Sequence, residues 1–201
     1  MAEMVAPATL ALQRLYHWEA TAPDRVVLTQ PMGGGAVRDF TWREVMDETR
    51  RMAAYLESLG FEPGARIGLM AKNTAHWLMA DFAIWMAGYV SVPLYPTLAA
   101  GTIRQVLEHS EARLLFVGKL DTWEQQKAGV PAGLKCIAFP LAPKSASAEY
   151  ETWGAIVART QPLAGRPQRT EEDLAMILYT SGSTGRPKGV MSTFGAFTRA
   201  A

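Results

Sequence analysis

The stretch Leu174-Ala-Met-Ile-Leu-Tyr-Thr-Ser-Gly-Ser-Thr-Gly-Arg-Pro-Lys-Gly-Val190 changes character halfway along. Leu174, Met176, Ile177, Leu178 and Tyr179 form an apolar run of strand length and composition. At Thr180 it breaks into a run of hydroxyls, glycines and cations. Glycines at 182, 185 and 189 remove the β-carbon where backbone N–H groups could turn toward a ligand. Thr180, Ser181, Ser183 and Thr184 offer hydroxyl donors, and Arg186 and Lys188 supply positive charge. A loop with donors, cations and no carboxylate suits a polyphosphate. A Ser/Gly-rich turn after a strand is otherwise a plain connection with basic residues facing water. The density of donors, the Pro187-Lys188-Gly189 ending and the abrupt break from the strand favour a ligand loop. It is not a Walker A loop, which needs Ser or Thr after a Gly-Lys pair. Nor is it a nucleophile elbow, because Gly182-Ser-Thr-Gly185 lacks the G-x-S-x-G spacing.

Tyr179 to Val190, YTSGSTGRPKGV, closely resembles the phosphate loop of the adenylate-forming superfamily, which includes acyl-CoA synthetases, firefly luciferase and peptide-synthetase adenylation domains. PDRVVL (Pro23 to Leu28), FTWREV (Phe40 to Val45), GARIGLMAKN (Gly64 to Asn73) and VPLYPTL (Val92 to Leu98) resemble long-chain fatty-acid–CoA ligases in particular. The resemblance implies a reaction in which a carboxylate attacks the α-phosphate of ATP, giving an acyl-adenylate and pyrophosphate, after which coenzyme A takes the acyl group. It assigns Thr180, Ser181, Ser183 and Thr184 as hydroxyl donors to the β- and γ-phosphates, with Lys188 as a point charge. Gly182, Gly185 and Gly189 would let the backbone approach closely, and Pro187 would stiffen the return. Arg186 is left as a solvent-facing loop residue. Mg²⁺ would arrive with ATP, keeping water and phosphate ligands. The implied substrate is a small carboxylic acid, foremost a fatty acid. A ligase for an aryl, medium-chain or amino acid, or a module that holds nucleotide without turnover, are the alternatives.

The sequence departs from that pattern in two ways. After Val190 stand Met191-Ser-Thr-Phe194, where many family members carry a histidine. The family's adenine- and ribose-binding segments, metal-binding glutamate, acyl pocket and catalytic lysine lie downstream of anything here. The chain therefore reads as the amino-terminal part of a longer enzyme, with no catalytic residue of its own and no expected activity alone.

Composition narrows the remaining classes. With 201 residues, 49% hydrophobic and 19% charged, the chain can bury a sizeable core. A formal net charge of +1 gives no global field for nucleic acid or an anionic membrane. The single cysteine, Cys136, excludes an internal disulfide, fits a reducing cytoplasm and reads as a small strand hydrophobe. The amino terminus lacks a basic n-region, and Trp77 to Tyr95 is interrupted by Asp81, Gly88 and Pro93, so neither a signal peptide nor a membrane span is expected. Peripheral contact with a membrane stays open, since a long-chain acid would come from lipid. His17 and His109 have no partnered nucleophile and read as surface or packing residues, and His76 as a first-turn helix residue. No metal-ligand spacing is present.

Patterning predicts the elements in order. Thr9 to Ala20 reads as helix, Arg25 to Gln30 and Ala36 to Phe40 as a hairpin, and Thr41-Trp-Arg-Glu44 as a capping box. The following helix presents Val45, Met52, Ala53, Leu56 and Leu59 on one face. Its other face, Arg43, Asp47, Glu48, Arg50, Arg51 and Glu57, reads as a solvated charged surface. Strands are expected at Arg66 to Met70, Tyr89 to Pro93, Arg113 to Val117 and Lys135 to Phe139. Helices are expected at Thr74 to Ala87, capped by Asn73, and at Thr102 to His109, Asp121 to Gln126 and Glu149 to Arg159. Pro140 to Ala148 reads as a surface connection and Pro162 to Thr170 as an exposed linker. Strands alternating with helices imply an α/β fold with a mostly parallel sheet and helices on both faces. Residues 1–170 are expected to form one subdomain, and residues 171–201 to begin a second that carries the loop.

Overall fold

The computed structural model describes residues 6–181 and 187–200, with the side chain of Ser181 left out. A short 3-10 turn leads into helix α1 (Ala11–Thr21), then strands β1 (Val26–Gly33) and β2 (Ala36–Thr41). These two form a separate antiparallel hairpin, turned by Gly33, Gly34 and Gly35, all at positive φ. Helix α2 (Trp42–Ser58) opens on the expected capping box, with Thr41 Oγ1 accepting from Glu44 N–H and Glu44 Oε2 accepting from Thr41 N–H.

From there strands and helices alternate: β3 (Arg66–Met70), α3 (Ala75–Met86), β4 (Val90–Leu94), α4 (Ala100–His109), β5 (Leu114–Val117), α5 (Trp123–Gln126) and β6 (Lys135–Ala138). Next come α6 (Lys144–Glu149), β7 (Glu151–Thr152), α7 (Trp153–Arg159), β8 (Leu174–Ser181), β9 (Pro187–Thr193) and α8 (Phe194–Ala200). The strands from β3 onward make one seven-stranded sheet in the order β7-β6-β5-β3-β4-β8-β9. Each neighbouring pair is parallel except β8 and β9.

Because side chains alternate along a strand, each strand feeds two cores. Ile67, Leu69, Leu114, Phe116 and Ile137 face α2, α3 and α7, with α1 and α8 completing that layer. Met70, Val92, Leu94, Leu115, Val117 and Cys136 face α4, α5 and α6. Cys136 is buried, and burial pushes its thiol up to about 12, which fits a packing role. The sheet is thus mostly parallel with helices on both faces. No helix among the described residues is long and apolar enough to cross a membrane.

Several local expectations are corrected. Thr74, not Asn73, caps α3, its Oγ1 accepting from Trp77 N–H at 3.2 Å. The stretch read as a surface connection contains α6, and the helix expected over Glu149 to Arg159 is split by the short strand β7. The second misreading has a tertiary cause: β7 is only two residues long and is set by pairing with β6, which no local pattern reveals.

The charged face of α2 is not a plain solvated surface. Arg50 donates to both oxygens of Glu19 at 2.8 Å and to the carbonyls of Leu163 and Gly165 at 3.1 and 2.7 Å. Tyr16 donates to Pro167 O and Gln13 to Arg169 O. Residues 162–169 are therefore tied against α1 and α2 rather than free. Glu48 accepts from Trp153 Nε1 at 2.8 Å and lies 3.3 Å from His76 Nε2. Burial pushes its carboxyl up, but the bonds from His76 and Trp153 outweigh that and hold it below the usual carboxylate range.

Removing the Arg50 guanidinium and removing the Asp81 carboxylate are expected to have opposite effects on stability. Replacing Arg50 by Met leaves Glu19 and two carbonyls without their donor. It is expected to lower stability by about 1–3 kcal/mol in urea denaturation, the scale of hydrogen bonds to a charged group lost from a part-buried pair, and to speed tryptic cleavage after Arg169. Asp81 is fully buried in α3; burial pushes its carboxyl up to about 7, the nearby Ser91 hydroxyl opposing that in part. The folded state then keeps a proton that the unfolded chain releases from about pH 4, so this group's contribution to stability falls as pH rises toward 7. Asp81→Asn should therefore raise the melting temperature at pH 8 and leave it unchanged at pH 4.

Candidate functional site

The loop strand reaches the sheet through a defined set of contacts. Ser91 of β4 pairs with Met176 of β8, and a register shift between Leu174 and Met176 leaves the Ala175 carbonyl free to accept from Trp85 Nε1 at 2.9 Å. Beyond it, β8 and β9 pair antiparallel with Tyr179 opposite Gly189, Thr180 opposite Lys188 and Ser181 opposite Pro187. The donor-rich stretch is thus the connection of a hairpin, leaving the carboxyl end of a strand parallel to β4, β3, β5 and β6.

Of the residues assigned from sequence, Thr180 and Lys188 are exposed and directly opposite, so their side chains rise from the same face. Lys188 forms no ion pair among the described residues. Ser181 is placed by its backbone alone, as the last residue of β8. Gly182, Ser183, Thr184 and Gly185, with Arg186, lie outside the described residues. Pro187, lacking an N–H, sits in an edge strand where the sheet tolerates it.

Gly189 also has a packing reason. A β-carbon there would lie 2.8 Å from Ile177 Cγ2 and 3.2 Å from Tyr179 Cζ, so the missing side chain makes room for those two residues. The Tyr179 ring is buried and its hydroxyl lies 2.7 Å from His109 Nδ1 at the end of α4. Burial raises the Tyr179 hydroxyl above its usual range, with the Arg66 charge opposing. His109 is exposed at the end of α4, consistent with the surface role expected, and through this contact it abuts the residue that precedes Thr180.

A cavity of ≈ 280 Å³ opens beside this hairpin, lined by Tyr95, Leu98, Thr102, Tyr179, Thr180 and Pro187 among others. It lies beyond the carboxyl ends of β4 and β8, where open α/β sheets bind ligands. A larger cavity of ≈ 350 Å³ lies between β1 and the start of α3. Among the described residues neither cavity is lined by a cationic side chain, and the smaller one is singled out by its place beside Thr180 at the carboxyl end of β8. Sequence reasoning noted VPLYPTL only as a family likeness. That Tyr95 and Leu98 form a wall facing Thr180 depends on β4 lying next to β8, across 80 residues of chain. Among the described residues no group of three or more His, Cys, Asp or Glu could hold a metal ion.

Residues 15–201 match the family model described as AMP-binding enzyme. The chain is 33% identical over 183 residues to the long-chain-fatty-acid–CoA ligase FadD15 of Mycobacterium bovis, covering 89% of this chain and 30% of that protein. Its fold superposes on the crystal structure of the anthranilate CoA ligase AuaEII with anthranoyl-AMP at a TM-score of 0.77 and 23% identity, covering 92% of this chain and 35% of that one. A benzoate CoA ligase from Burkholderia xenovorans LB400 gives 0.76 at 22% identity, again over 92% of this chain and 35% of the other. The chain thus spans about a third of the length of these proteins.

The contact of Gly189 with Tyr179 is testable. Gly189→Val forces Ile177 or the Tyr179 ring to move and is expected to cost about 1–3 kcal/mol, the range of overpacking substitutions, in thermal or urea unfolding. Unchanged stability would show that the ring has room to yield.

Proposed function

Because the chain belongs to the AMP-binding enzyme family, we propose that it supplies the phosphate-loop segment of an ATP-dependent acid–CoA ligase. The observation that carries this reading is the hairpin itself: Thr180 and Lys188 stand side by side at the carboxyl end of β8, next to an open cavity. In the reaction a carboxylate attacks the α-phosphorus of ATP, the acyl–O–P bond forms and pyrophosphate leaves; a thiol of coenzyme A then displaces AMP. The first step is electrostatically difficult, since an anion approaches an anion and charge builds on the departing pyrophosphate. Hydroxyls of Thr180, Ser181, Ser183 and Thr184 and the ammonium of Lys188 meet that charge, and Gly182 and Gly185 let backbone N–H groups do the same. Mg²⁺ bound with ATP supplies further charge neutralisation.

FadD15 supports a long-chain fatty acid as the acid substrate. An aromatic acid is the second reading, the alternative the sequence leaves open, and the aryl ligases at 22–23% identity support the fold alone. A cytoplasmic protein drawing an apolar acid from the membrane face is the setting that suits the first reading. Pyrophosphate exchange with a panel of carboxylic acids, run on the longest protein containing this segment, separates the two. In the same assay Thr184→Ala should slow adenylation about 10²-fold, the lower range for a lost transition-state donor. An unchanged rate would remove Thr184 from the loop's machinery. Calorimetry with Mg·ATP on the 201-residue chain distinguishes a nucleotide-holding module, which binds tightly alone, from a ligase segment, which binds weakly.

A further inference from the structure

We propose that Gln126 is a positioning residue for the cavity beside the loop hairpin, its side-chain amide holding the β4–α4 connection that forms the cavity's wall. The proposal rests on the ligase reading for its functional consequence but not for its geometry. The connection, residues 95–99, brings Tyr95, Thr97 and Leu98 to the cavity, facing Tyr179, Thr180 and Pro187 across it. Its own backbone closes one turn, Leu98 N–H to Tyr95 O at 3.2 Å. The carbonyls of Pro96 and Leu98 both accept from Gln126 Nε2, at 2.8 and 3.0 Å. One side chain therefore ties two points of the connection to α5.

Packing alone does not explain a glutamine here. Gln126 is 2% exposed, and its Oε1 has no partner among the described residues. An unsatisfied buried acceptor is destabilising, and an apolar side chain of the same length would avoid that cost. The amide's donors are what such a side chain could not supply. The segment carrying it is itself fixed. A β-carbon on Gly129 would come within 2.2 Å of the Ala100 carbonyl, so this turn sits directly on the start of α4, and Arg104 donates to Ala128 O at 2.9 Å. Gln126 thus reaches the connection from a braced platform. A wall held in place before the ligand arrives spares that ligand the cost of ordering it.

The test compares Gln126→Met with Gln125→Met, a control at the exposed neighbour. Hydrogen exchange on the 201-residue chain should show the Leu98 amide, whose N–H closes the turn onto Tyr95 O, exchanging about tenfold faster in Gln126→Met, the scale of one lost hydrogen bond, with β3 and β5 unchanged. The control should match the parent. Unchanged exchange at Leu98, or equal loss of protection in β3 and β5, would overturn the proposal. In steady-state ligase assays of the longest protein containing this segment, Gln126→Met should raise KM for ATP about fivefold, with kcat within twofold. Faster exchange at Leu98 with KM for ATP unchanged would also overturn it while leaving the ligase reading intact. A parent protein with no pyrophosphate exchange would instead sink the ligase reading, and the clamp would then stand or fall on hydrogen exchange alone.

Discussion

A parallel strand in the middle of a sheet is stable only when both of its faces are covered, and that requirement arranges this chain. β3, β5 and β6 put apolar side chains on both sides, so the helices between the strands are divided between the two faces. α3 shows the consequence most fully. It is apolar almost all round because it packs against the sheet on one side and against α2 and the α1 layer on the others. Gly68, between Ile67 and Leu69, has no side chain because Leu115 Cδ1 would lie 2.8 Å from its β-carbon. The apolar demand is met to the point where one residue more would not fit.

The same demand decides where the polar groups can go. A buried donor or acceptor must find a partner, and here the partners come from distant segments. Trp85, on α3, meets the carbonyl freed by the register shift in β8 and stacks edge-on against Phe194 of α8. Arg169 lies over the Phe194 ring and donates to Leu174 O at 3.3 Å. Burial lowers its pKa, and the Asp173 charge opposes that shift. At the other end of β8, Tyr179 is held between His109 and the bare backbone of Gly189. The strand that carries the phosphate loop is thereby gripped at its root and near its tip, while Thr180 and Lys188 remain exposed.

Much of this was legible in the residues. The capping box at Thr41, the strand at Arg66 to Met70 and the buried character of α3 are short-range patterns, and each was found where it was expected. The break expected at Thr180 comes later, because Thr180 and Ser181 stay in β8 by pairing with Lys188 and Pro187 of β9. The failures share a physical origin. Arg50 and Glu48 look like solvent-facing charges on an amphipathic helix until residues 162–169, Trp153 and His76 are folded against them. Asn73 and Thr74 are both good caps, and only the backbone geometry at the helix start chooses Thr74.

By itself the sequence determined the alternation of elements, the chemistry of the loop and the family likeness, because propensity, periodicity and donor content are written in consecutive residues. Tertiary structure decided what stands around the loop: that β8 lies beside β4, that Tyr95 and Leu98 face Thr180, and that an amide from α5 holds their connection. Those relations join segments tens of residues apart, and they are fixed by which apolar faces must be buried together, a quantity that no local stretch contains.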